Sequence, residues 1–208
     1  MNIIITDDHK VVREGLKKIF SMHEDFHVVG EAASIAELQK LLKESNPDLI
    51  TLDVSLPDRS GLDYVKDIKA QYPSVKILIF SIYPDEKFGH RAITIGADGY
   101  LSKNADPSEI VIAIKKIMKG GKYLKQEVME EILLGGIDSI NKLPYEKLSD
   151  REFEVLRLIA QGNKLTTIAE QLNLSVNTVA SYKSRIQEKL NITSTAALIK
   201  YAVENQLV

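Results

Sequence analysis

The sequence predicts an α/β protein: a doubly wound, parallel five-stranded sheet followed by a small all-α four-helix domain. Two observations carry that expectation. Over the first 120 residues, short β-branched runs alternate five times with segments of helical spacing. From Leu148 onward the strand pattern vanishes while the helical spacing continues.

The expected strands are 3–6, 27–31, 49–53, 75–81 and 99–103, and the helices between them are 12–20, 35–42, 62–70, 87–95 and 110–118. Strand–helix alternation of this kind places a parallel sheet between two layers of helices. Ser34 with Glu37 reads as a capping box, and Asp106-Pro107-Ser108-Glu109 supplies a cap residue, a proline at the first helical position and a Glu at the third. Gly120-Gly121 breaks the pattern. Residues 121–145, with a short helical stretch at 128–134, Gly135-Gly136 and Pro144, read as a connector between a domain over 1–120 and another over 146–208. In the second, Ser149-Asp150-Arg151-Glu152 is a further capping box, opening a helix with Phe153, Leu156, Leu158 and Ile159 apolar. Three more helices are expected at 166–172, 176–190 and 195–205.

Bulk properties narrow the class. The 208 residues carry a formal net charge of −2, which argues against wholesale nucleic-acid coating but leaves room for a local basic face. The absence of cysteine excludes disulfides, thiol chemistry and cysteine zinc sites. No apolar run reaches the ~18 residues of a membrane span and no leader opens the chain, so a cytoplasmic protein without membrane contact is expected.

Doubly wound sheets bind ligands at the carboxyl ends of their strands. Here those ends carry Asp7-Asp8, Asp53, Ser81 and Lys103. Adjacent carboxylates repel unless something positive offsets them, and an oxygen-rich acidic cluster suits Mg²⁺. Lys103 as a point charge and Ser81 as a donor add a site for a phosphoryl group. The acceptor is then a nucleophilic carboxylate, Asp53, at a strand end before the Pro/Gly loop Leu56-Pro57-Asp58-Arg59-Ser60-Gly61, which leaves it reachable. His9 reads as a solvated residue at a helix start.

The stretches TDDH, LDVSLPDRSG, the isolated Ser81 and GYLSK resemble the receiver domain of two-component response regulators, a flavodoxin-like fold, over roughly residues 1–120. The resemblance implies Asp53 as phosphoacceptor. It implies Mg²⁺ held by Asp8, Asp53 and the Ser55 carbonyl, with Asp7 acting through water. It makes Ser81 and Lys103 the grip on the phosphoryl group and Tyr100 the aromatic switch. Asn104 stands where receivers commonly have proline, so a cis Lys103–Asn104 bond would form without proline's help, at a cost of ~3 kcal/mol. Leu56 replaces the commoner methionine.

The tail has a helix-turn-helix pattern: Ile168, Ala169 and Leu172 face inward on a short helix, Asn173-Leu174 turns, and Ser175 caps the next helix. On that second helix Val179, Tyr182, Ile186 and Leu190 make the inward stripe. The opposite face, Asn177, Thr178, Ala180, Ser181, Ser184 and Arg185 with Lys183 and Lys189 flanking, suits a major groove. Charges in 145–208 nearly cancel, 8 Lys/Arg against 7 Asp/Glu, whereas nucleic-acid binders are usually more basic. The run from Leu148 to Ile192 is similar to the LuxR-type helix-turn-helix, and with the receiver it gives the architecture of the NarL/FixJ regulators. Ala180, Tyr182 and Lys164-Leu165 depart from the usual pattern, so base preference does not carry over.

That architecture implies a phosphorylation-dependent transcription regulator. A sensor histidine kinase phosphorylates it, and a homodimer binds double-stranded promoter DNA through Val176–Leu190, with the last helix often the dimer contact in this family. A phosphatase with an aspartyl-phosphate intermediate would want a carboxylate two residues after the nucleophile, where Ser55 stands, so no enzyme is expected. A pure protein-binding adaptor would lack the outward polar helix face. The resemblance to receivers also implies that Ser55 and Tyr83, two residues beyond Asp53 and Ser81, border the path of hydrolytic water, and a shielding Tyr83 would give a long-lived phosphorylated state.

Overall fold

The computed structural model describes residues 1–83, 85–126, 128–130, 145, 148–172, 174–205 and 207, with residues 85–87 and 150 described by backbone alone. The chain divides into two compact units, Met1–Ile137 and Asp138–Val208.

In the first unit, five strands alternate with five helices in chain order: β1 (Asn2–Thr6), α1 (Lys10–Ser21), β2 (His27–Ala32), α2 (Ile35–Glu44), β3 (Leu49–Leu52), α3 (Gly61–Gln71), β4 (Lys76–Ser81), α4 (Asp85–Thr94), β5 (Gly99–Ser102) and α5 (Pro107–Met118). All pairings are parallel, in the order β2-β1-β3-β4-β5. The chain therefore reverses direction across the sheet after β2, and β1 and β3 end side by side at the switch point where such folds bind ligands. Ile3, Ile5, Leu49, Leu78 and Phe80 share one core cluster with Leu16 and Phe20 of α1 and Ile110, Ile114 and Ile117 of α5. Ile4, Ile50 and Ile77 lie in register, are fully buried, and by strand alternation face the opposite layer. Both faces are covered, which is why the strands read as continuous apolar runs.

The second unit holds α6 (Asp150–Ala160), α7 (Leu165–Gln171), α8 (Val176–Leu190) and α9 (Thr195–Glu204). Val155, Leu156, Ile168, Val179, Ile186 and Leu198 form its core. Helix α8 has the expected bounds. It starts where the Ser175 hydroxyl accepts from Thr178 N, and it stops at Asn191, a C-cap in the left-handed region at φ 55°.

Local expectations fared unevenly. The box at Ser149 is complete, with both reciprocal hydrogen bonds to Glu152. At Ser34 only half forms: its side chain accepts from Glu37 N, but Glu37 Oε2 takes the Ala33 N–H instead, one residue further out. Asp106 occupies the cap position with Pro107 behind it but makes no cap hydrogen bond, and Glu109 accepts from the Tyr123 hydroxyl at 3.0 Å. No cis peptide occurs among the described residues, so Lys103–Asn104 is trans. The Ser102 hydroxyl and carbonyl take the N–H groups of Asn104 and Ala105 and turn the chain there. Of the helical stretch expected at 128–134, residues 128–130 are helical and the remainder lies outside the described residues.

Candidate functional site

Strand β1 delivers Asp7 and Asp8, β3 delivers Asp53, β4 ends at Ser81, and β5 hands the chain to Lys103, all at one edge of the sheet. Lys103 Nζ stands between two carboxylates, 2.6 Å from Asp7 Oδ2 and 2.9 Å from Asp53 Oδ2. Asp7 Oδ1 accepts from His9 N at 2.9 Å, while the Asp8 side chain is one-third exposed, with His9 Nδ1 2.7 Å from its Oδ1. Asp7, Asp8, His9 and Asp53 each offer a ligand atom within 4.8 Å of the others. His9 is exposed, as expected of a helix-start residue, yet its ring leans into this cluster.

The reach expected at Asp53 is not seen: the residue is 2% exposed, with the Lys103 ammonium in contact with it. Burial pushes its carboxyl up to about 7; the Lys103 charge pulls it down and the Asp7 charge raises it further. For Lys103, burial works against the ammonium, but the Asp53 and Asp7 carboxylates outweigh it and the pKa is raised. Asp53 Oδ1 is buried and has no hydrogen-bond partner among the described residues, an orphan that interiors rarely tolerate. Three clustered carboxylates against one ammonium, plus that orphaned oxygen, fit a divalent cation with oxygen ligands.

Gly61 explains how α3 can begin so close. Its N–H donates to Val54 O, and a Cβ built on it runs into the Asp53 carbonyl oxygen, so the helix starts beneath Asp53 only with glycine there.

Ser81 is fully buried, and its hydroxyl accepts from Tyr83 N at 3.3 Å. Tyr83 is 1% exposed, and its Oη lies 3.2 Å from Ser55 Oγ. Tyr100 is fully buried, its hydroxyl donating to Tyr83 O at 3.1 Å.

Two residues that the sequence reading passed over also shape the site. Arg13 donates to the Asp7 carbonyl at 2.7 Å. Asp58 uses both carboxylate oxygens to accept Ile35 N and Ala36 N, and so joins the loop after Asp53 to the start of α2. Basic spacing on α1 and an Asp in a turn were visible, but nothing in the sequence said what they would touch.

In the second unit, Asn177, Ser181, Ser184 and Arg185 are exposed on α8, and Thr178, Ala180 and Lys183 are half-buried. The Ser181 and Ser184 hydroxyls donate to the carbonyls of Asn177 and Ala180, leaving their oxygens outward as acceptors. The Thr178 hydroxyl is engaged with Ser175 in the cap. Lys189 pairs with the buried Glu152 at 2.6 Å. Burial opposes the Glu152 charge, but Lys189 and Ser149 hold its pKa below the usual range. Tyr182 departs from its expected place. It is half-buried where Val179, Ile186 and Leu190 are buried, and it lines a shallow depression with Asn177, Thr178, Ser181 and Arg185.

Comparisons with known proteins agree with both halves. Residues 3–115 match the family described as response regulator receiver domain, and 146–202 match bacterial regulatory proteins, luxR family. The oxygen regulatory protein NreC of Staphylococcus haemolyticus is 35% identical, with all of this chain and 99% of that protein covered. Response regulator UvrY of Escherichia coli K12 is 33% identical over all of this chain and 95% of its own length. Among solved structures, RcsB from Salmonella enterica serovar Typhimurium, bound to promoter rprA in the presence of phosphomimetic BeF3-, has a TM-score of 0.64 at 29% identity over 97% of each chain. No helix among the described residues is long and apolar enough to cross a membrane. A receiver with an acid pocket at its switch point, joined to a LuxR-type helical domain, makes this chain a member of the NarL/FixJ family of response regulators, phosphorylation-dependent DNA-binding transcription regulators.

Proposed function

We propose that Asp53 is the phosphoacceptor and that a sensor histidine kinase is the donor. The observation that carries this reading is the bridging ammonium: Lys103 touches Asp53 at 2.9 Å and Asp7 at 2.6 Å, beside the third carboxylate of the cluster, Asp8. An Asp53 oxygen attacks phosphorus as the P–N bond to the donor histidine breaks, which gives an acyl phosphate. Lys103 swings its charge from the carboxylates to the transferred oxygens, and the Ser81 hydroxyl donates to another. Asp8, Asp53 and the Ser55 carbonyl would hold Mg²⁺, which supplies the positive charge that keeps Asp53 ionised. Asp7, with Oδ1 on His9 N and Oδ2 beside Lys103, is left an outer role.

The acyl phosphate draws the Ser81 hydroxyl onto itself, shifts the already buried Tyr100 through its hydrogen bond to Tyr83 O, and alters the α4–β5–α5 surface. The division into a receiver at 1–120, a connector at 121–145 and a DNA-binding domain at 146–208 follows from that reading. DNA is read by the outward face of α8, through Asn177, Thr178, Ala180, Ser181, Lys183, Ser184 and Arg185, with Lys189 at its end. RcsB has been seen as dimers bound to DNA and bound to a promoter with a phosphomimetic, which supports a dimer on two half-sites here. The protein has no turnover of its own, since Ser55 offers no carboxylate for a phosphatase's acid step, and it works in the cytoplasm.

Gel shift against the protein's own upstream DNA, with and without acetyl phosphate and Mg²⁺, tests the reading. Tighter binding with the donor in wild type and no change in Asp53→Asn is expected. Equal enhancement in both proteins would refute it.

A further inference from the structure

Past α5 the chain does not leave the receiver directly. Residues 121–124 fold back along β5: Gly99 and Tyr123 form a parallel bridge, Tyr123 N donates to Asp98 O at 3.0 Å, and Tyr100 N donates to Tyr123 O at 2.9 Å. The Tyr123 hydroxyl donates to Glu109 of α5, and the Lys122 ammonium donates to Ala97 O at 2.6 Å. Leu124 is 5% exposed and sits against Gly89 of α4, so closely that a Cβ at Gly89 would run into Leu124 Cδ1.

Two routes lead from the acid pocket to this strap, and both start at Tyr83. One is made of hydrogen bonds. Tyr83 N rests on Ser81 Oγ, the Tyr83 carbonyl takes the Tyr100 hydroxyl, and the Tyr100 backbone N–H holds Tyr123. The other is packing. The Tyr83 ring stacks on Phe88 of α4 with centroids 4.8 Å apart, and the next residue, Gly89, is the seat of Leu124. Tyr83 Oη itself sits 3.2 Å from the hydroxyl two residues beyond Asp53.

We propose that residues 121–124 are a strap that senses the state of the pocket: docked between α4 and β5 while Tyr83 rests on Ser55 and Ser81, released when a phosphoryl group on Asp53 displaces Tyr83. The inference rests on the acceptor role of Asp53. A phosphoryl group needs room beside Ser55 and claims the Ser81 hydroxyl, the two groups that fix Tyr83 from the pocket side. A buried tyrosine packed on Phe88 does not move alone, because close-packed interiors transmit displacement. The seat at Gly89 and the hold at Tyr100 shift together, and the strap, a single bridge on an end strand rather than a full strand of the sheet, is the part that yields.

The test is hydrogen–deuterium exchange on the full chain, read on peptides spanning residues 121–124, with Mg²⁺ with and without acetyl phosphate. Phosphate on the intact chain is followed by mass. Wild type should take phosphate and exchange the strap amides at least about tenfold faster. Asp53→Asn should do neither. Leu124→Ala should take phosphate normally but exchange quickly before any donor is added, and Gly89→Ala, which crowds the seat, should behave alike. Phosphate incorporation with unchanged strap exchange overturns the inference and leaves the acceptor reading standing. Strap protection at the wild-type level in both variants overturns it as well. A wild-type chain that takes no phosphate overturns the acceptor reading, and this inference falls with it.

Discussion

The hydroxyl of Tyr83 stands 3.2 Å from that of Ser55, joining the positions two residues beyond Ser81 and Asp53. Tyr83 is turned inward and 1% exposed, and even after a phosphoryl group pushes it off Ser55 and Ser81 its bulky ring would still border the acyl phosphate and hinder the approach of water. Tyr83→Ala should therefore hydrolyse faster than wild type at equal Mg²⁺, measured as loss of phosphate after the donor is removed. An equal or slower rate in the variant would end the shielding idea.

Asp53 has a stability cost that depends on pH. Its folded pKa is about 7 against an ordinary 3.8, so between those values the folded state binds the extra proton. Its contribution to stability is thus fully present below pH ~4 and is lost as pH rises through about 7. Without Mg²⁺, Asp53→Asn should melt higher than wild type at neutral pH, and the gap should close toward pH 4. Thermal melts in chelator across that window check it, and a variant that melts lower at neutral pH contradicts it.

Asp8 is the open carboxylate of the cluster, with its side chain one-third exposed. Asp8→Ala should abolish Mg²⁺ binding while the fold stands, since no core contact is lost. Calorimetric titration with Mg²⁺ measures the first and circular dichroism the second. An unchanged affinity places the ion elsewhere.

On α8, Arg185 is exposed and Lys183 half-buried, whereas Lys189 is held by Glu152. Alanine at Arg185 or Lys183 should weaken DNA binding, by about 1–3 kcal/mol for a lost base contact and less for a phosphate contact. Two variants that bind like wild type at physiological salt would move the interface off this face.

Glu152 completes the Ser149 capping box and takes the Lys189 ammonium at 2.6 Å, tying the start of α6 to the end of α8. Glu152→Ala should destabilise the helical domain by about 1–3 kcal/mol. Its pKa is depressed, so that stability is present above the ordinary 4.5 and fades as pH falls below it. Urea melts of wild type and variant at neutral and acid pH test both statements.

What the sequence made legible was what repeats or stands at a strand end. Periodicity located every sheet strand and α8 to its last residue, because buried strands and a two-faced helix each leave an unbroken pattern. Asp7, Asp8, Asp53, Ser81 and Lys103 converge because strand ends in a parallel sheet must lie along one edge. Side-chain direction was harder. Tyr83 and Tyr182 each had two allowable orientations, and only packing against Phe88 and the polar depression on α8 decided between them. The strap at Tyr123 has no periodicity at all, being a single bridge, and Asp58 caps a helix more than twenty residues earlier in the chain. Contacts across such separations leave no local trace.

That bridge also closes the border of the sheet. β5 is an end strand, and its Tyr100 N–H is taken by Tyr123 O while Asp98 O is taken by Tyr123 N. Bare border strands recruit other chains, and proteins commonly blunt them with a short covering segment. A receiver trimmed at residue 120, where the apolar periodicity stops, would lose that cover and gain a sticky margin. Such a fragment should self-associate through β5 when one carrying residues through 125 stays monomeric. The smallest well-behaved receiver in this protein is therefore longer than its repeating pattern suggests.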